Sequence, residues 1–187
     1  KHLACATVGF VRPDYRSGTA SKLVLISTDL TGERMPASER IQDAMQPHWS
    51  PHGYRIAYRD SSDLWTVQVQ AGAEPVPVTR DAPKDWNPVW SPDGRYLYFS
   101  SDRGGSMNLW RVRIEEESGK VMGPPEPVTT PSPYSGYISF SRDGRRITYA
   151  QQISSTNIYK VGFDPAREIA TGQPMPVTRR SREGASC

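Results

Sequence analysis

Three segments of the chain share one pattern of apolar and variable positions and align without gaps. They begin at Trp49, Trp90 and Phe140, so that the leading aromatic residues are 41 and 50 residues apart. In each segment the third and fifth residues after the glycine are large and apolar, and a spacing of two places both on one face of a β-strand. These pairs are Ile56 and Tyr58, Leu97 and Phe99, and Ile147 and Tyr149. The pattern therefore predicts a strand directly after each glycine.

A Ser-Pro-Asp-Gly turn, or a variant of it, precedes each of these strands. In the central copy Pro92 sets φ at the second turn position, Asp93 tolerates the third and Gly94 provides the exit. The aromatic residue before the turn ends one strand, and the residues after it start the antiparallel partner. These turns offer no reactive group, and we interpret them as structural.

Two further patterns recur behind each turn in a constant order. The Leu-Trp-x-Val pattern occupies 64–67 and 109–112, with Ile-Tyr-Lys-Val at 158–161, and Pro-Val-Thr occupies 77–79, 127–129 and 176–178. We predict that they form a third and a short fourth strand. Four antiparallel strands in each repeat of 41 to 50 residues are the unit of a β-propeller blade.

The predicted fold class is all-β, a β-propeller of four-stranded antiparallel blades in a single domain, 1–187. We expect a partial blade at 1–40, blades at 41–82, 83–132 and 133–180, and a polar tail at 181–187. The partial blade would contain strands at 3–11, 21–27 and 33–37 but no first strand. Propellers usually contain about four to eight blades, so we expect a piece of a larger ring, with an unusual four-bladed ring as the open alternative. The open edges of such a piece would favour self-association.

A single blade cannot bury both faces of its sheet, so neighbouring blades have to stack. We therefore expect Trp65, Trp90 and Trp110 in the core rather than on a stacking platform for a ligand.

Composition excludes several classes of function. The net charge of +3 is small and scattered, which argues against a nucleic-acid groove. The longest clean apolar stretch, Leu23 to Ile26, is far too short to span a bilayer. Cys5 and Cys187 fit neither a disulfide framework nor a zinc site; we expect two free thiols, with a single bridge between them as the open alternative.

The central repeat carries a family resemblance. At Trp90-Ser91-Pro92-Asp93-Gly94-Arg95, followed by Ser100 to Gly105 and Leu109-Trp110, the sequence resembles the TolB-type, WD-like propeller repeats of bacteria. The similarity covers residues 43–179. It departs from the family pattern at His52, Phe140 and Arg142, where Asp, Trp and Pro are usual.

The resemblance implies an extracytoplasmic, periplasmic protein that docks a protein or peptide partner. Similar repeats also occur in the propeller portions of prolyl-oligopeptidase-like and tricorn-like peptidases, and in the sensor portions of bacterial kinases and regulators. Two alternatives therefore stay open, a propeller that gates a peptidase and a sensor ectodomain. The motif identifies the fold better than the function.

Strand alternation sorts the connections onto two ends of the sheets. The Ser-Pro-Asp-Gly turns share one end, here called the turn end, with the Glu115–Glu117 run, which we expect to be a solvated loop. The connections between second and third strands and between blades share the other, here called the loop end. Partner contacts are predicted there, with Trp86 and Tyr137 nearest the channel or capping a blade junction. The predicted contact residues are Trp86, Tyr137, Tyr134, Asp85, Asp102 and Arg103.

No catalytic or cofactor-binding arrangement is predicted. The chain has three histidines, His2, His48 and His52, and no Gly-x-Ser-x-Gly elbow. The Arg103-Gly104-Gly105 segment lacks the lysine and the helix of a phosphate loop. We therefore expect a non-catalytic interaction module that needs no cofactor and no metal.

Overall fold

The computed structural model describes residues 2–6, 22–28, 34–36, 41, 44–70, 72–129, 135–151 and 157–178. The chain divides into two compact units, Lys1–Gln152 and Ile153–Cys187. The described regular elements are all strands, and among these residues there is no helix long and apolar enough to cross a membrane. The Cys5 side chain and Cys187 lie outside the described part, so the choice between free thiols and a bridge stays a prediction.

The first unit begins with a three-stranded antiparallel sheet. Its strands are β1 (His2–Ala6), β2 (Leu23–Ser27) and β3 (Arg34–Pro36), in the order β1-β2-β3. They overlap the strands that the sequence predicts at 3–11, 21–27 and 33–37, although residues 7–11, 21, 33 and 37 lie outside the described part. That 1–40 forms a partial blade stays a prediction.

Two four-stranded antiparallel sheets follow. The first contains β4 (Met45–Trp49), β5 (Arg55–Asp60), β6 (Asp63–Gln68) and β7 (Val76–Pro77), in chain order. The second contains β8 (Asp85–Trp90), β9 (Tyr96–Ser101), β10 (Asn108–Arg113) and β11 (Glu126–Pro127). A pair, β12 (Ser135–Phe140) with β13 (Ile147–Gln151), ends the unit. The predicted propeller-type fold of four-stranded antiparallel sheets is confirmed.

Each Pro-Val-Thr motif is tied to its Leu-Trp-x-Val motif by the threonine hydroxyl. The hydroxyl accepts the backbone N–H that opens the third strand, which would otherwise lack an acceptor at this end of the sheet. The bonds are Leu64 N to Thr79 Oγ1 (3.0 Å), Leu109 N to Thr129 Oγ1 (3.3 Å) and Ile158 N to Thr178 Oγ1 (2.9 Å). The two sequence patterns recur together because each completes the hydrogen bonding of the other.

The core of the first unit lies between its sheets. Leu23 and Leu25 of one sheet pack with Ile56 and Tyr58 of the next, which cover the alternating apolar face predicted after the turn. The opposite face of β5 is buried too. Its Ala57 packs with apolar residues of the following sheet, among them Leu97, Phe99 and Val112. Burial of both faces explains why each blade needs a neighbour.

The tryptophans differ from the expectation of a uniform core. Trp90 is buried, but Trp65 and Trp110 are only half-buried. The guanidinium of Arg80 lies 4.8 Å from the Trp65 ring and that of Arg103 lies 5.5 Å from the Trp110 ring. An indole can pack one side against a core cluster and present its π-face to a cation, which is what these two do.

The second unit is a single antiparallel hairpin. It consists of β14 (Tyr159–Asp164) and β15 (Ile169–Pro176), with a register shift between Lys160 and Gly162. Most of its apolar side chains are exposed. That 133–180 forms one four-stranded blade stays a prediction.

Candidate functional site

Each of the three inner strands, β4, β8 and β12, carries a bulge at the same repeat position. Gln46, Asn87 and Tyr137 have φ of 53°, 55° and 55°, and the pairing register with the next strand shifts at each of them. A positive φ is uncommon outside glycine and is strained for a bulky aromatic residue such as Tyr137. Something has to hold the backbone in this conformation.

Side chains of the preceding blade provide that support. Gln46 Oε1 accepts a hydrogen bond from Asn87 N at 2.9 Å. In the amide orientation that satisfies its neighbours, Asn87 Oδ1 accepts from Tyr137 N at 3.0 Å and Ile138 N at 2.8 Å. The bulges thus form a ladder that links successive inner strands. Tyr137, the third member, replaces the amide with a phenol ring that is 45% exposed.

Trp86 and Tyr137 meet at the loop end of these strands. The Trp86 side chain is 1% exposed, and its Nε1 donates to Met107 Sδ at 3.0 Å. Its ring lies edge-on to the Tyr137 ring, with 5.5 Å between centroids. Gly136 lies against the indole so closely that an added Cβ would be 2.7 Å from Trp86 Cζ2. Trp86 therefore caps a blade junction, and Tyr137 presents the exposed ring.

Asp85 and Arg103 form a buried ion pair beside this junction. Arg103 Nη2 donates to both oxygens of Asp85, at 3.0 and 2.8 Å, while Nη1 donates to Asp81 at 3.0 Å and Nε to Ser101 Oγ at 2.9 Å. The two side chains are 0% and 10% exposed. Burial raises the pKa of Asp85, and hydrogen bonds from Ser101 and Arg103 offset part of that effect. The carboxylate of Asp85 and the guanidinium of Arg103 thus neutralise each other's charge.

Asp102 ties the loop before β8 to the end of β9. Its Oδ1 accepts from Lys84 N at 2.8 Å, and its own N–H donates to Lys84 O at 3.4 Å. The structure thus brings Asp85, Trp86, Asp102 and Arg103 together, with Tyr137 against Trp86. Tyr134 lies outside the described residues. Contact of these six residues with a partner stays a prediction.

At the turn end, carboxylates hold the turns through side-chain hydrogen bonds, and one of these bonds joins two blades. Asp93 Oδ1 accepts from Ser91 Oγ at 2.6 Å and Arg95 N at 3.1 Å, and the turn at Asp143 repeats this arrangement. His52 cannot provide such a carboxylate in the first turn. Glu116, from the next blade, supplies it: Oε1 accepts from His52 N at 3.0 Å and Oε2 from His52 Nδ1 at 2.6 Å.

The expectation that Glu115–Glu117 is a solvated loop is therefore wrong for Glu116. Its side chain is 9% exposed. The same loop reaches the preceding blade a second time, because Arg55 Nη1 donates to Glu117 O at 3.2 Å. Burial opposes ionisation of Glu116, but hydrogen bonds from His52 and Ser50 outweigh it and hold the pKa of Glu116 below its ordinary value. The sequence shows the histidine but not the distant carboxylate that replaces aspartate.

We predict that Glu116→Gln destabilises the chain by about 1 kcal/mol at neutral pH, because the charged acceptor is lost from a largely buried position. Since the folded-state pKa of Glu116 is lowered, its contribution is present above the ordinary value of 4.5 and is lost as the pH falls through the folded-state pKa. Urea unfolding at pH 7 and at acidic pH should therefore show the difference between the two proteins shrinking at low pH.

A double substitution provides the control for this prediction. His52→Asp alone should also destabilise, because it places a second carboxylate beside Glu116. Combined with Glu116→Gln, it recreates the arrangement of Asp93, and stability should recover. Additive losses in the double variant would contradict the interpretation.

No metal centre is found in the part of the chain that the structure describes, where no three potential ligands cluster. His48 Nδ1 accepts from Trp90 N at 3.3 Å, and burial lowers the pKa of His48, which keeps its ring neutral at pH 7. A cavity of about 280 Å³ opens at the turn end, between the ends of β4, β8 and β12. Sequence reasoning missed this cavity, because no single motif marks it.

Comparisons with known proteins agree on the architecture. No protein-family model matches the chain. A solved structure of a TolB-type protein from Agrobacterium tumefaciens superposes with a TM-score of 0.60 at 23% identity, covering 75% of this chain and 50% of that one. The Tol-Pal system protein TolB of Francisella tularensis is 39% identical over 75 residues, which is 38% of this chain and 16% of that protein.

A peptidase is also among the relatives. An uncharacterized peptidase of Bacillus subtilis is 34% identical over 103 residues, covering 49% of this chain and 16% of its own length. The chain thus matches only 16% to 25% of the length of the curated relatives.

Proposed function

Because the chain is built of TolB-type β-propeller repeats, we propose that it is a non-catalytic module that binds a protein or peptide at its loop end and channel mouth. One observation carries the proposal: the inner strand β12 presents an exposed aromatic ring, Tyr137, on a backbone that the preceding blade holds in a strained conformation. Strain of this kind persists only where contacts with the surrounding structure hold it, and it is concentrated at binding sites.

The support beneath Tyr137 favours binding in two ways. Trp86 packs edge-on beneath the ring, and the Asn87 amide holds the Tyr137 backbone. A ring that is already restrained loses less conformational freedom when a partner covers it. Aromatic residues in such positions commonly supply a large share of the binding energy of an interface.

The other predicted contact residues divide into supports and surface. Asp85, Trp86 and Arg103 are buried or nearly so and shape the loop end from beneath. Asp102 is half-buried and lies at the surface with the exposed Lys84. We therefore assign direct contact to Tyr137 and Asp102, and a positioning role to the buried three.

The proposal predicts where a photo-reactive residue will capture a partner. A benzoyl-phenylalanine at position 137 or 102 of the full-length protein, irradiated in the organism that encodes it, should form an adduct with one and the same protein. Position 126, on the outermost strand β11 and also exposed, is the matched control and should give no adduct with it. Mass spectrometry of the adducts decides. Capture only at 126, or at neither 137 nor 102, would contradict the proposal.

We also place the protein outside the cytoplasm, on its similarity to TolB. Fractionation of cells that express the full-length protein tests this placement, since the protein should leave with the periplasmic or membrane fraction and not with the cytoplasmic one.

The alternative is the propeller portion of a peptidase, which the match to the Bacillus subtilis peptidase favours. There the propeller would control access to a hydrolase domain. The discriminating assay is hydrolysis of peptide p-nitroanilides by the full-length protein. Turnover that depends on a serine of a Gly-x-Ser-x-Gly elbow would decide for the alternative.

A further inference from the structure

The cavity at the turn end is open to solvent and is lined by equivalent residues of three successive blades. Each inner strand contributes its last aromatic residue, and each following turn contributes its second residue. The aromatic residues are Trp49, Trp90 and Phe140, and the turn residues are Pro51, Pro92 and Arg142. At about 280 Å³ the cavity is at the small end of the range for ligand sites, which suits a side chain or a peptide end better than a nucleotide.

The residue of the wall that departs most in charge from its equivalents is Arg142. Two turns place a proline there, and the third places a guanidinium that is exposed and makes no hydrogen bond or ion pair with the residues that the structure describes. Within the described part of the chain, the residues that line the cavity include no acidic side chain. The carboxylates nearest in the chain, Asp93 and Asp143, accept hydrogen bonds from their own turns.

The other polar groups of the wall do not neutralise this charge. His48 is a neutral ring whose Nδ1 is occupied by Trp90 N, which leaves the proton on Nε2 and makes that nitrogen a donor. Ser91 Oγ and Ser141 Oγ donate to the aspartates of their turns. The cavity therefore combines aromatic walls with a guanidinium that has no partner among the described residues, a set complementary to an apolar group that carries an anion.

We propose that this cavity binds a peptide residue in which an apolar side chain lies next to a carboxylate. The apolar side chain packs between Trp90 and Phe140, and the carboxylate accepts hydrogen bonds from Arg142. The carboxylate belongs either to a chain terminus or to an acidic side chain, and the two share this chemistry. The inference rests on the proposed binding function but concerns the opposite end of the sheets.

Three labelled probe peptides test the proposal by fluorescence anisotropy with the full-length protein. The first ends in Phe-Leu with a free carboxylate, the second is its C-terminal amide, and the third is amidated but carries an internal Glu before Leu. The first or the third should bind at least tenfold more tightly than the second. Preference for the first indicates a terminal carboxylate, and preference for the third an acidic side chain.

Arg142→Pro is the decisive variant, because it installs the residue that the two equivalent turns already carry. It should weaken binding of the carboxylate peptide at least tenfold and leave that of the amide unchanged. Arg142→Gln, which keeps the backbone as it is, should give the same result. Arg145→Gln removes an exposed arginine outside the cavity wall and should have little effect.

Equal binding of all three peptides at millimolar concentration, or equal losses from Arg142→Gln and Arg145→Gln, would overturn the proposal. So would the absence of binding by any of them to a protein that melts cooperatively. Adducts at position 137 together with such a negative result would remove this inference and leave the proposed function standing. Carboxylate-dependent binding without adducts at 137 or 102 would support this inference and contradict the proposed partner contact at the loop end.

Discussion

Trp86→Ala is expected to lower the free energy of unfolding by about 3–5 kcal/mol, the usual cost of truncating a fully buried aromatic side chain. The indole is 1% exposed and fills the space between β8 and Gly136 of the next blade. Its removal leaves a cavity at a blade junction and takes away the support of the Tyr137 ring. Urea unfolding followed by circular dichroism measures the loss.

Two variants at the same junction test whether the stability loss comes from the burial of Trp86 rather than from its location at the junction. Tyr137→Ala removes an aromatic ring of similar size that is 45% exposed, and should cost no more than about 1 kcal/mol. Gly136→Ala adds a methyl group that would meet the indole at 2.7 Å, and should cost about 1–3 kcal/mol through overpacking. If Trp86→Ala were as mild as Tyr137→Ala, the junction would not be packed as described.

Arg103→Met is expected to cost about 3–5 kcal/mol, because it leaves the Asp85 carboxylate buried without its counter-charge. Asp85 is 0% exposed in its side chain, and both of its oxygens accept from Arg103 Nη2. The substitution also removes the donor to Asp81 and the guanidinium over the Trp110 ring. Thermal and urea unfolding should both report the loss.

An exposed ion pair in the same sheet provides the control. Arg111 pairs with Glu126 at 2.9 Å, but the two side chains are 37% and 54% exposed. Arg111→Met should therefore cost less than about 1 kcal/mol. The double variant Asp85→Asn, Arg103→Met should recover part of the loss, because no charge then stays unpaired. Equal effects of Arg103→Met and Arg111→Met would show that the Asp85 pair is not insulated from solvent.

The contact residues illustrate what sequence reasoning can and cannot assign at a site. Strand alternation predicts that Asp85, Trp86, Asp102, Arg103 and Tyr137 lie at one end, and the structure brings them together there. The sequence pattern does not distinguish a buried ion pair from a surface contact, since charged residues such as Asp85 and Arg103 occur in both. Their pairing depends on how β8 and the turn after β9 approach each other, which no local pattern encodes.

At the turn end, sequence reasoning identifies the local turns but misses the interactions between blades. Residue type alone predicts the Ser-Pro-Asp-Gly turns correctly, because proline, aspartate and glycine act on their own backbone. The same reasoning assigned no chemistry to this end. Glu116 becomes the carboxylate of a turn 64 residues away, and Arg142 becomes part of a cavity wall, only when successive blades stack.

The all-β class, the four-stranded unit and its repeat can be predicted from the residues alone, because strand alternation and turn chemistry are local properties of the chain. Which polar and aromatic side chains are buried, paired or exposed depends on how the sheets pack against one another. The inner-strand ladder, the Asp85–Arg103 pair and the cavity beside Arg142 each join residues of different strands or blades. Burial and charge pairing depend on what a neighbouring element covers, and that neighbour is distant in the chain.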